Sequence, residues 1–314
     1  RDMTTPKPLI IFFIFVCVMY QQLITMYRQT TDPPEACSSI DDVRKDDIHP
    51  QLFLRQSDPL PPPINDTLRL IFLSDTHGLH DEIPLPLPAG DILFHLGDAC
   101  HRGNIAQMRS FVQWMKRNSF HKERIVIEGN HDRDKNDGVL DFMSEYDGVA
   151  RVLKNEVVAV AGGKMSVAGV TWNACQEENF TEAMNNIQTW SDESDSVKRV
   201  EKKTVDLLLT HLGPRVKGGG RGWEVGSRVL SQFVKDVSPA LHCFGHIHYA
   251  RGVRKDSDVM MVNSASAKMM VPVVIDYCPD RKKALMIHCP VSDESMEDHF
   301  ASVKFPTEWL VEAD

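Results

Sequence analysis

The stretch Leu70-Ile-Phe-Leu-Ser-Asp-Thr-His-Gly78 decides how the rest of this 314-residue chain is interpreted. Its apolar run predicts a buried strand, and the glycine ends it. Side chains two positions apart on an extended backbone point to the same side. Asp75 and His77 are therefore expected to converge just beyond the strand end. A carboxylate oxygen and an imidazole nitrogen arranged in this way form half of a metal site.

The composition limits the class of protein. With 42% hydrophobic residues, the chain can bury one substantial core. A net charge of −9 argues against stable binding of nucleic acid through a basic surface. It does not exclude a substrate that carries phosphate, because bound metal ions can invert the local field. The seven cysteines are scattered and indicate neither a disulfide scaffold nor a zinc finger.

An apolar segment lies near the start of the chain. Leu9 to Tyr20 is uninterrupted, and the segment extends with polar interruptions to Tyr27. Its length suits one membrane-spanning helix, so residues 1–29 are predicted to be a hydrophobic anchor that contacts a membrane through residues 9–27. A cleaved signal peptide of a secreted protein and a buried core helix of a cytoplasmic protein are the alternatives. The flanking lysines and arginines do not decide which side of the membrane the remaining chain faces.

The chain after this segment divides into three parts. Residues 30–66 are rich in proline and charge, which predicts a semi-rigid linker. The main domain is predicted over residues 67–290, followed by an acidic tail over residues 291–314. Asn65 and Asn179 begin glycosylation sequons, but one or two such tripeptides are expected by chance.

Strands and helices alternate in the first half of the main domain. We predict further strands over residues 91–96 and 124–128, with an amphipathic helix between them over Asn104–Asn118. Asn104 is the expected N-cap of this helix. Strands separated by helices of this length favour parallel pairing through βαβ crossovers. Short apolar stretches between glycines over residues 149–172 predict antiparallel hairpins.

The second half of the domain is expected to supply a second sheet. Residues 173–204 are polar and predict a partly helical insertion near the surface. A helix is predicted over residues 224–236. The predicted strands cover residues 205–210, 240–244, 259–263, 271–276 and 284–288.

Metal-binding residue types follow five of the predicted strands. Ligands of open α/β sheets gather outside the carboxyl ends of strands, so one crevice can hold all of these side chains. Without cysteine, the set favours ions that accept oxygen and nitrogen, namely manganese, iron, zinc, cobalt or magnesium. Seven side chains suit two ions about 3.5–4 Å apart that share one carboxylate. The seven are Asp75, His77, Asp98, Asn130, His211, His246 and His248.

An ordinary structural role explains any one of these residues alone. A histidine within a strand is more often a hydrogen-bonded core residue than a ligand, and we assign His95 and His242 to that class. Gly-Asp is a common turn sequence. Such roles do not explain why all the other candidates stand at successive strand ends.

The order D-x-H, G-D, G-N-H-D, H and G-H-x-H resembles the calcineurin-like metallophosphoesterase superfamily over roughly residues 68–290. Leu96-Gly-Asp98, Thr210-His-Leu-Gly-Pro214 and Leu241-His-Cys-Phe-Gly-His-Ile-His248 look most like its small metallophosphoesterase-domain-containing proteins. That group is similar to the class III cyclic nucleotide phosphodiesterases. The resemblance implies an α/β protein with a four-layer α/β/β/α sandwich of two mixed sheets, to which the N-terminal hydrophobic helix would be added.

The resemblance also implies how the candidate ligands divide between two ions. The first ion would be bound by Asp75, His77 and His248. The second ion would be bound by Asn130, His211 and His246. Asp98 would bridge the two, and manganese is the favoured metal.

The expected reaction is attack of a metal-activated water on phosphorus, in line with the leaving group. His131 follows a ligand and is expected to donate a proton or a hydrogen bond to an ester oxygen, which makes it catalytic together with Asp98. Lys217 and Arg221 are candidates for contact with the substrate phosphate, and a solvated loop is the alternative for both. His101 is a further candidate for substrate contact.

The predicted protein is therefore a metal-dependent phosphoric ester hydrolase. A phosphodiester is favoured over a phosphomonoester, and cyclic nucleotides are the favoured small substrates. One alternative is a membrane-anchored phosphatase acting on lipid or protein phosphoesters. Another is an anchored binding or scaffold protein with a vestigial site. The oligomeric state is not predicted.

Overall fold

The computed structural model of the protein describes residues 49–133, 141–176, 179–190, 205–217, 224–256, 258–266 and 269–291. The apolar segment over residues 9–27, Arg221 and the tail beyond residue 291 lie outside this part of the chain. None of the helices that the structure describes is long and apolar enough to cross a membrane.

The secondary structure elements are named in chain order. The strands are β1 (Gln51–Arg55), β2 (Leu68–Leu73), β3 (Ile92–His95), β4 (Glu123–Val126), β5 (Arg151–Val152), β6 (Glu156–Val160), β7 (Met165–Val170), β8 (Leu207–Thr210), β9 (Val216–Lys217), β10 (Glu224–Val225), β11 (Leu241–Phe244), β12 (Gly252–Asp256), β13 (Val259–Asn263), β14 (Val273–Cys278) and β15 (Lys283–Val291). The helices are α1 (Ile105–Asn118), α2 (Phe142–Glu145), α3 (Trp172–Gln176), α4 (Thr181–Thr189) and α5 (Arg228–Val237).

Most of these strands form two mixed sheets. Sheet 1 has the order β1-β15-β14-β2-β3-β4-β5, and sheet 2 has the order β12-β13-β11-β8-β7-β6. Strands β2, β3, β4 and β5 are parallel neighbours in sheet 1, which confirms the predicted parallel pairing. Strands β7, β8, β11 and β13 are parallel neighbours in sheet 2. Because parallel strands end at the same edge of a sheet, each sheet presents several carboxyl ends together.

Two segments differ from the sequence prediction. The strands predicted near 271–276 and 284–288 were expected to close the second sheet, but they are β14 and β15 of sheet 1. Strand β14 pairs antiparallel with β2 and places Ile275 opposite Leu70. The predicted linker contains β1, which pairs parallel with β15. Strand β14 joins sheet 1 through β2, and β1 joins it through β15. Both of these partners are about 200 residues or more away in sequence, so local patterning does not reveal which sheet the strands join.

The apolar core separates into three clusters that define the layers. One cluster contains side chains from both sheets, including Leu70 and Phe72 of β2 and Leu207 of β8, and therefore lies between the sheets. The alternate residues Ile71 and Leu73 of β2 point the other way, into a second cluster with α1 and α2. A third cluster joins sheet 2 to α3, α4 and α5. Each fully buried side chain of this size contributes about 1.5–3 kcal/mol through its burial.

Helix α1 follows the sequence prediction at both ends. The side chain of Asn104 accepts hydrogen bonds from the backbone N–H groups of Ala106 and Gln107, each at 3.1 Å, so it is the N-cap. Phe111 and Met115 are among its buried residues. The antiparallel hairpin predicted within residues 149–172 is also confirmed, as β6 and β7. The polar insertion contributes α3 and α4, while residues 191–204 lie outside the described residues.

Candidate metal centre

The seven predicted ligands follow the carboxyl ends of five strands from both sheets. From sheet 1, β2 leads to Asp75 and His77, β3 to Asp98, and β4 to Asn130. From sheet 2, β8 leads to His211, and β11 leads to His246 and His248. The loops that follow these strands bring polar side chains of the two sheets together in one cleft.

The first cluster contains Asp75, His77 and His248. Their potential ligand atoms all lie within 4.8 Å of one another. The Nε2 atom of His248 is 2.9 Å from Oδ1 of Asp75, and it is 3.4 Å from Nε2 of His77. Three side chains from the two sheets therefore direct one oxygen and two nitrogens at a common point.

The second cluster contains Asp98, His211 and His246, whose potential ligand atoms also lie within 4.8 Å of one another. Asn130 adds an oxygen, because its Oδ1 is 3.2 Å from Nε2 of His211. The Nδ1–H group of His211 donates to the carbonyl oxygen of Leu96 at 2.6 Å, which leaves Nε2 directed into the cleft.

Asp98 lies between the two clusters. Its Oδ2 is 3.8 Å from Nε2 of His77 and 3.3 Å from Nε2 of His211. One carboxylate can therefore reach donors of both clusters at the same time. This is the position that a ligand shared by two ions requires.

Four of the seven residues have a left-handed backbone conformation. The φ angles are 57° at Asp75, 45° at His77, 58° at Asp98 and 64° at His246. For residues with a Cβ, this conformation costs about 1–3 kcal/mol and persists only where the surroundings impose it. Here the backbone N–H groups of Asp75 and His77 donate to the carbonyl oxygens of Gly97 and Asp98, each at 2.9 Å.

Two glycines of the motifs permit close approach between the loops. A Cβ at Gly97, where φ is 96°, would lie 2.5 Å from Nδ1 of His211. A Cβ at Gly245 would overlap Oγ of Ser74 and lie 2.5 Å from Oδ2 of Asp75. Because the glycines of G-D and G-H-x-H have no side chain, they leave room for ligands from the opposite sheet.

Asp132 is a residue of the site to which the sequence analysis gave no role. Its buried carboxylate accepts the backbone N–H groups of Asp98 at 2.6 Å, Gly129 at 3.0 Å and Cys100 at 3.1 Å. It thus joins the loop after β3 to the loop after β4. Its place as the last residue of G-N-H-D is the sequence signal that could have identified it.

The protonation states of Asp75 in the first cluster and of His246 in the second suit cations. Burial alone would raise the pKa of Asp75, but the hydrogen bond with His248 and the nearby imidazoles hold it well below its usual range. Burial lowers the pKa of His246 to about 4, so its ring is neutral and its lone pair is free at neutral pH. Ionised carboxylates and neutral imidazoles are the forms that bind metal.

His131 lies against the clusters with a defined orientation. Its backbone N–H donates to Oδ1 of Asp98 at 2.7 Å, and its ring centroid is 4.9 Å from that of His77. Its Nδ1 accepts the backbone N–H of Arg102 at 3.2 Å, which places the ring proton on Nε2. The exposed His101 stacks on this ring at 4.8 Å with an interplanar angle of 22°.

Of the two basic candidates for substrate contact, the structure describes only the backbone of one. Lys217 belongs to β9, which pairs antiparallel with β10, and its side chain is outside what the structure describes. Arg221 lies outside the described residues altogether. Contact of either residue with substrate stays a prediction.

Trp172 lies against the second cluster, although no sequence pattern predicted this position. Its ring centroid is 5.0 Å from that of His246 and 5.6 Å from that of His211. The tryptophan begins α3 and is the last residue of the stretch 149–172, which was predicted to form antiparallel hairpins. Its proximity to the ligands results from the packing of α3 beside the carboxyl ends of sheet 2.

The donor set fits two divalent cations. Carboxylate and amide oxygens come from Asp75, Asp98 and Asn130, and the remaining donors are imidazole nitrogens. This mixture suits borderline and hard cations of the first transition series. Two groups of three donors and one carboxylate between them match the geometry of a two-ion site.

Comparisons with known proteins agree with this description. The family model for the calcineurin-like phosphoesterase matches residues 68–250. UPF0046 protein K07C11.7 of Caenorhabditis elegans is 29% identical over 240 residues, which cover 70% of this chain and 79% of that protein. Human metallophosphoesterase domain-containing protein 1 is 26% identical over 244 residues, which cover 66% of this chain and 70% of that protein.

Among solved structures, TT1561 of Thermus thermophilus is similar to 69% of this chain and 97% of its own length, with 12% identity and a TM-score of 0.41. The family match itself covers more than half of the 314 residues and includes all seven predicted ligands. The chain belongs to the calcineurin-like phosphoesterase family.

Proposed function

We propose that this protein is a phosphoesterase with two divalent metal ions that hydrolyses small phosphoesters, phosphodiesters in preference to phosphomonoesters. The position of Asp98 carries this proposal. Its Oδ2 is within 3.8 Å of a donor of the first cluster and within 3.3 Å of a donor of the second. A carboxylate shared in this way indicates a pair of ions, and paired ions are used for in-line displacement at phosphorus.

The proposed ligand assignment follows the two clusters. Asp75, His77 and His248 hold the first ion. Asn130, His211 and His246 hold the second ion, and Asp98 holds both. When bound, such ions supply activation of water near neutral pH and neutralise the charge that develops on phosphoryl oxygens. Manganese is the favoured metal, with iron, zinc, cobalt and magnesium as alternatives.

His131 is the proposed hydrogen-bond donor to an oxygen of the ester. The Arg102 backbone N–H occupies its Nδ1, so the proton resides on Nε2. The short bond from its own backbone to Asp98 fixes its position relative to the shared carboxylate. This arrangement supports a hydrogen bond from Nε2–H to the departing ester oxygen, which stabilises the negative charge that develops there.

The proposed substrates are small phosphodiesters. Cyclic nucleotides are proposed as small diester substrates on the resemblance described above, with Lys217, Arg221 and His101 as candidate contacts. Association with a membrane through residues 9–27 is proposed on the apolar sequence of that segment. If the segment is an anchor, lipid and protein phosphoesters become alternative substrates.

A panel of substrates tests the proposed function. The full chain, purified in detergent and freed of metal, would be reconstituted separately with Mn²⁺, Zn²⁺, Fe²⁺, Co²⁺ and Mg²⁺. Each form would be assayed with cyclic AMP, cyclic GMP, bis-p-nitrophenyl phosphate, p-nitrophenyl phosphate, phospholipid vesicles and a phosphopeptide. We expect diester hydrolysis that requires two ions per chain. A protein that binds two ions but hydrolyses none of these compounds would instead be a binding or scaffold protein.

A further inference from the structure

Arg133 connects the two sheets at the edge of the second cluster. Its Nε is 3.5 Å from Oε1 of Glu128, which follows β4 in sheet 1. Its Nη1 donates to Oδ1 of Asn173, which belongs to α3 and follows β7 in sheet 2. One guanidinium group therefore contacts a side chain from each side of the cleft.

The partner from sheet 2 lies next to the candidate ligands. Asn173 directly follows Trp172, whose ring lies 5.0 Å from His246 and 5.6 Å from His211. Because α3 is only five residues long, a bond at Asn173 also constrains the position of Trp172. The aromatic ring in turn restricts the rotation of both imidazoles.

The partner from sheet 1 belongs to the loop that carries the remaining ligand. Glu128 lies two residues before Asn130, and Arg133 lies three residues after it. The carboxylate of Asp132 fixes this loop to the backbone of Asp98 at 2.6 Å. The contacts of Arg133 therefore connect the loop that carries Asn130 to sheet 2. The same two parts of the molecule meet at the ligands, where Oδ1 of Asn130 is 3.2 Å from Nε2 of His211.

The ion pair between Arg133 and Glu128 is not explained by a contribution to the free energy of unfolding. The side chain of Arg133 is 40% exposed and that of Glu128 is 24% exposed. An ion pair with that much exposure contributes little to the free energy of unfolding. A guanidinium is nevertheless suited to hold two acceptors in fixed directions, which an ammonium group on a flexible stem does not do.

We propose that Arg133 is a positioning residue for the second metal ion. Through Asn173 it holds Trp172 against His211 and His246, and through Glu128 it fixes their separation from Asn130. The inference rests on the proposed function insofar as it assumes that these residues bind an ion. Loss of a partner outside the ligand shell of a metal site typically weakens binding about 10- to 100-fold.

The test uses a substitution that leaves the charge unchanged. Asn173→Ala removes the acceptor of the Arg133 bond, and Asn185→Ala is the matched control. Asn185 lines the same surface cavity of about 550 Å³ as Asn173, but it is exposed and makes no bond to Arg133. Arg133→Lys is a second variant that retains the positive charge without the planar fork.

Stepwise binding of Mn²⁺ to the metal-free full chain would be followed by calorimetry, and coupling between the two ions by electron paramagnetic resonance. For Asn173→Ala and Arg133→Lys we expect second-ion binding about tenfold weaker, with first-ion binding within about twofold of wild type. Asn185→Ala is expected to match wild type in both steps. The coupled-ion signal of the first two variants should require correspondingly more Mn²⁺.

Wild-type affinity for the second ion in both Asn173→Ala and Arg133→Lys would overturn the inference, as would equal weakening of both steps. These measurements do not depend on turnover. If the wild-type chain binds two ions but hydrolyses no phosphoester, the proposed function fails while the positioning role is still decided by the titration. If the wild-type chain binds only one Mn²⁺, both the proposed function and the inference are wrong.

Discussion

The Nε2 atom of His248 lies 2.9 Å from Oδ1 of Asp75, although 173 residues separate these two residues in the sequence. The backbone N–H of His246 also donates to the carboxylate of Asp75, at 3.0–3.1 Å. Asp75 thus receives hydrogen bonds from the G-H-x-H segment of the opposite sheet. The first cluster is preorganised by contacts between the two sheets, and the predictions below follow from that arrangement.

Replacing the shared carboxylate should disconnect the two clusters. For Asp98→Ala we expect the bound metal to fall from two ions to one or fewer and turnover to fall at least about 100-fold, because both clusters lose a ligand. Metal content by mass spectrometry and the rate with bis-p-nitrophenyl phosphate measure these effects. Asp147→Asn, an exposed carboxylate outside the site, serves as the control. Full activity with two ions in Asp98→Ala would rule out the bridging role.

Removing the proposed hydrogen-bond donor to the leaving group should slow the reaction without releasing metal. For His131→Ala we expect two bound ions and a decrease in kcat of about 10²–10⁴-fold with a substrate whose alcohol is a poor leaving group. The decrease should be smaller with p-nitrophenyl esters, since their leaving group departs without protonation. Comparing kcat for the two substrate types tests this difference. An equal loss with both would contradict donation to the leaving group.

Filling the space at the G-H-x-H glycine should damage the first cluster. In Gly245→Ala the new Cβ would overlap Oγ of Ser74 and crowd Asp75. We expect a loss of about 1–3 kcal/mol in the free energy of unfolding and weaker binding of the first ion. Denaturant unfolding and metal titration measure these quantities.

Gly148→Ala is the comparison for that variant, since no atom lies within 4 Å of the Cβ position there. Its φ of 67° means that it reports the cost of a left-handed alanine alone. If Gly245→Ala binds the first ion as tightly as Gly148→Ala does, the close approach is unimportant for the site.

The buried His242 should make stability depend on pH. Burial lowers its pKa to about 3, whereas an unfolded histidine has a pKa of about 6.5. The unfolded state therefore binds the proton first, and stability is lost as pH falls from about 6.5 toward 3, by up to about 1.4 kcal/mol per pH unit. His242→Gln, which can still donate to Oγ1 of Thr210, should reduce that slope. Identical slopes for wild type and variant in urea unfolding at several pH values would contradict this prediction.

The sequence was most informative where one local pattern carried both structure and chemistry. The apolar run before Asp75 predicted β2, and Asn104 predicted the start of α1, because strand burial and helix capping depend on neighbouring residues. The ligand types could be chosen because each followed a predicted strand. The interior histidines His95 and His242 were correctly assigned to the core, where both are fully buried.

Local patterning could not decide which sheet a strand joins or which helix covers the site. β14 pairs with β2 across about 200 residues, and β1 pairs with β15 across more than 230. No sequence pattern predicted a role for Trp172, because its contacts with His211 and His246 arise from the packing of α3. The bond from Arg133 to Asn173 likewise has no local signature.

The sequence by itself determined the residue types of the site, their order and the strand ends that carry them, because these depend on interactions between near neighbours. The family resemblance implied that Asp75 and His248 share an ion and that Asp98 bridges two ions. Only the tertiary structure gave the distances between these side chains and decided that Asp132 joins their loops. Those relationships depend on how two sheets pack on a common apolar core. That packing is a property of the whole chain, since the free energy of burying the core selects one arrangement of distant strands.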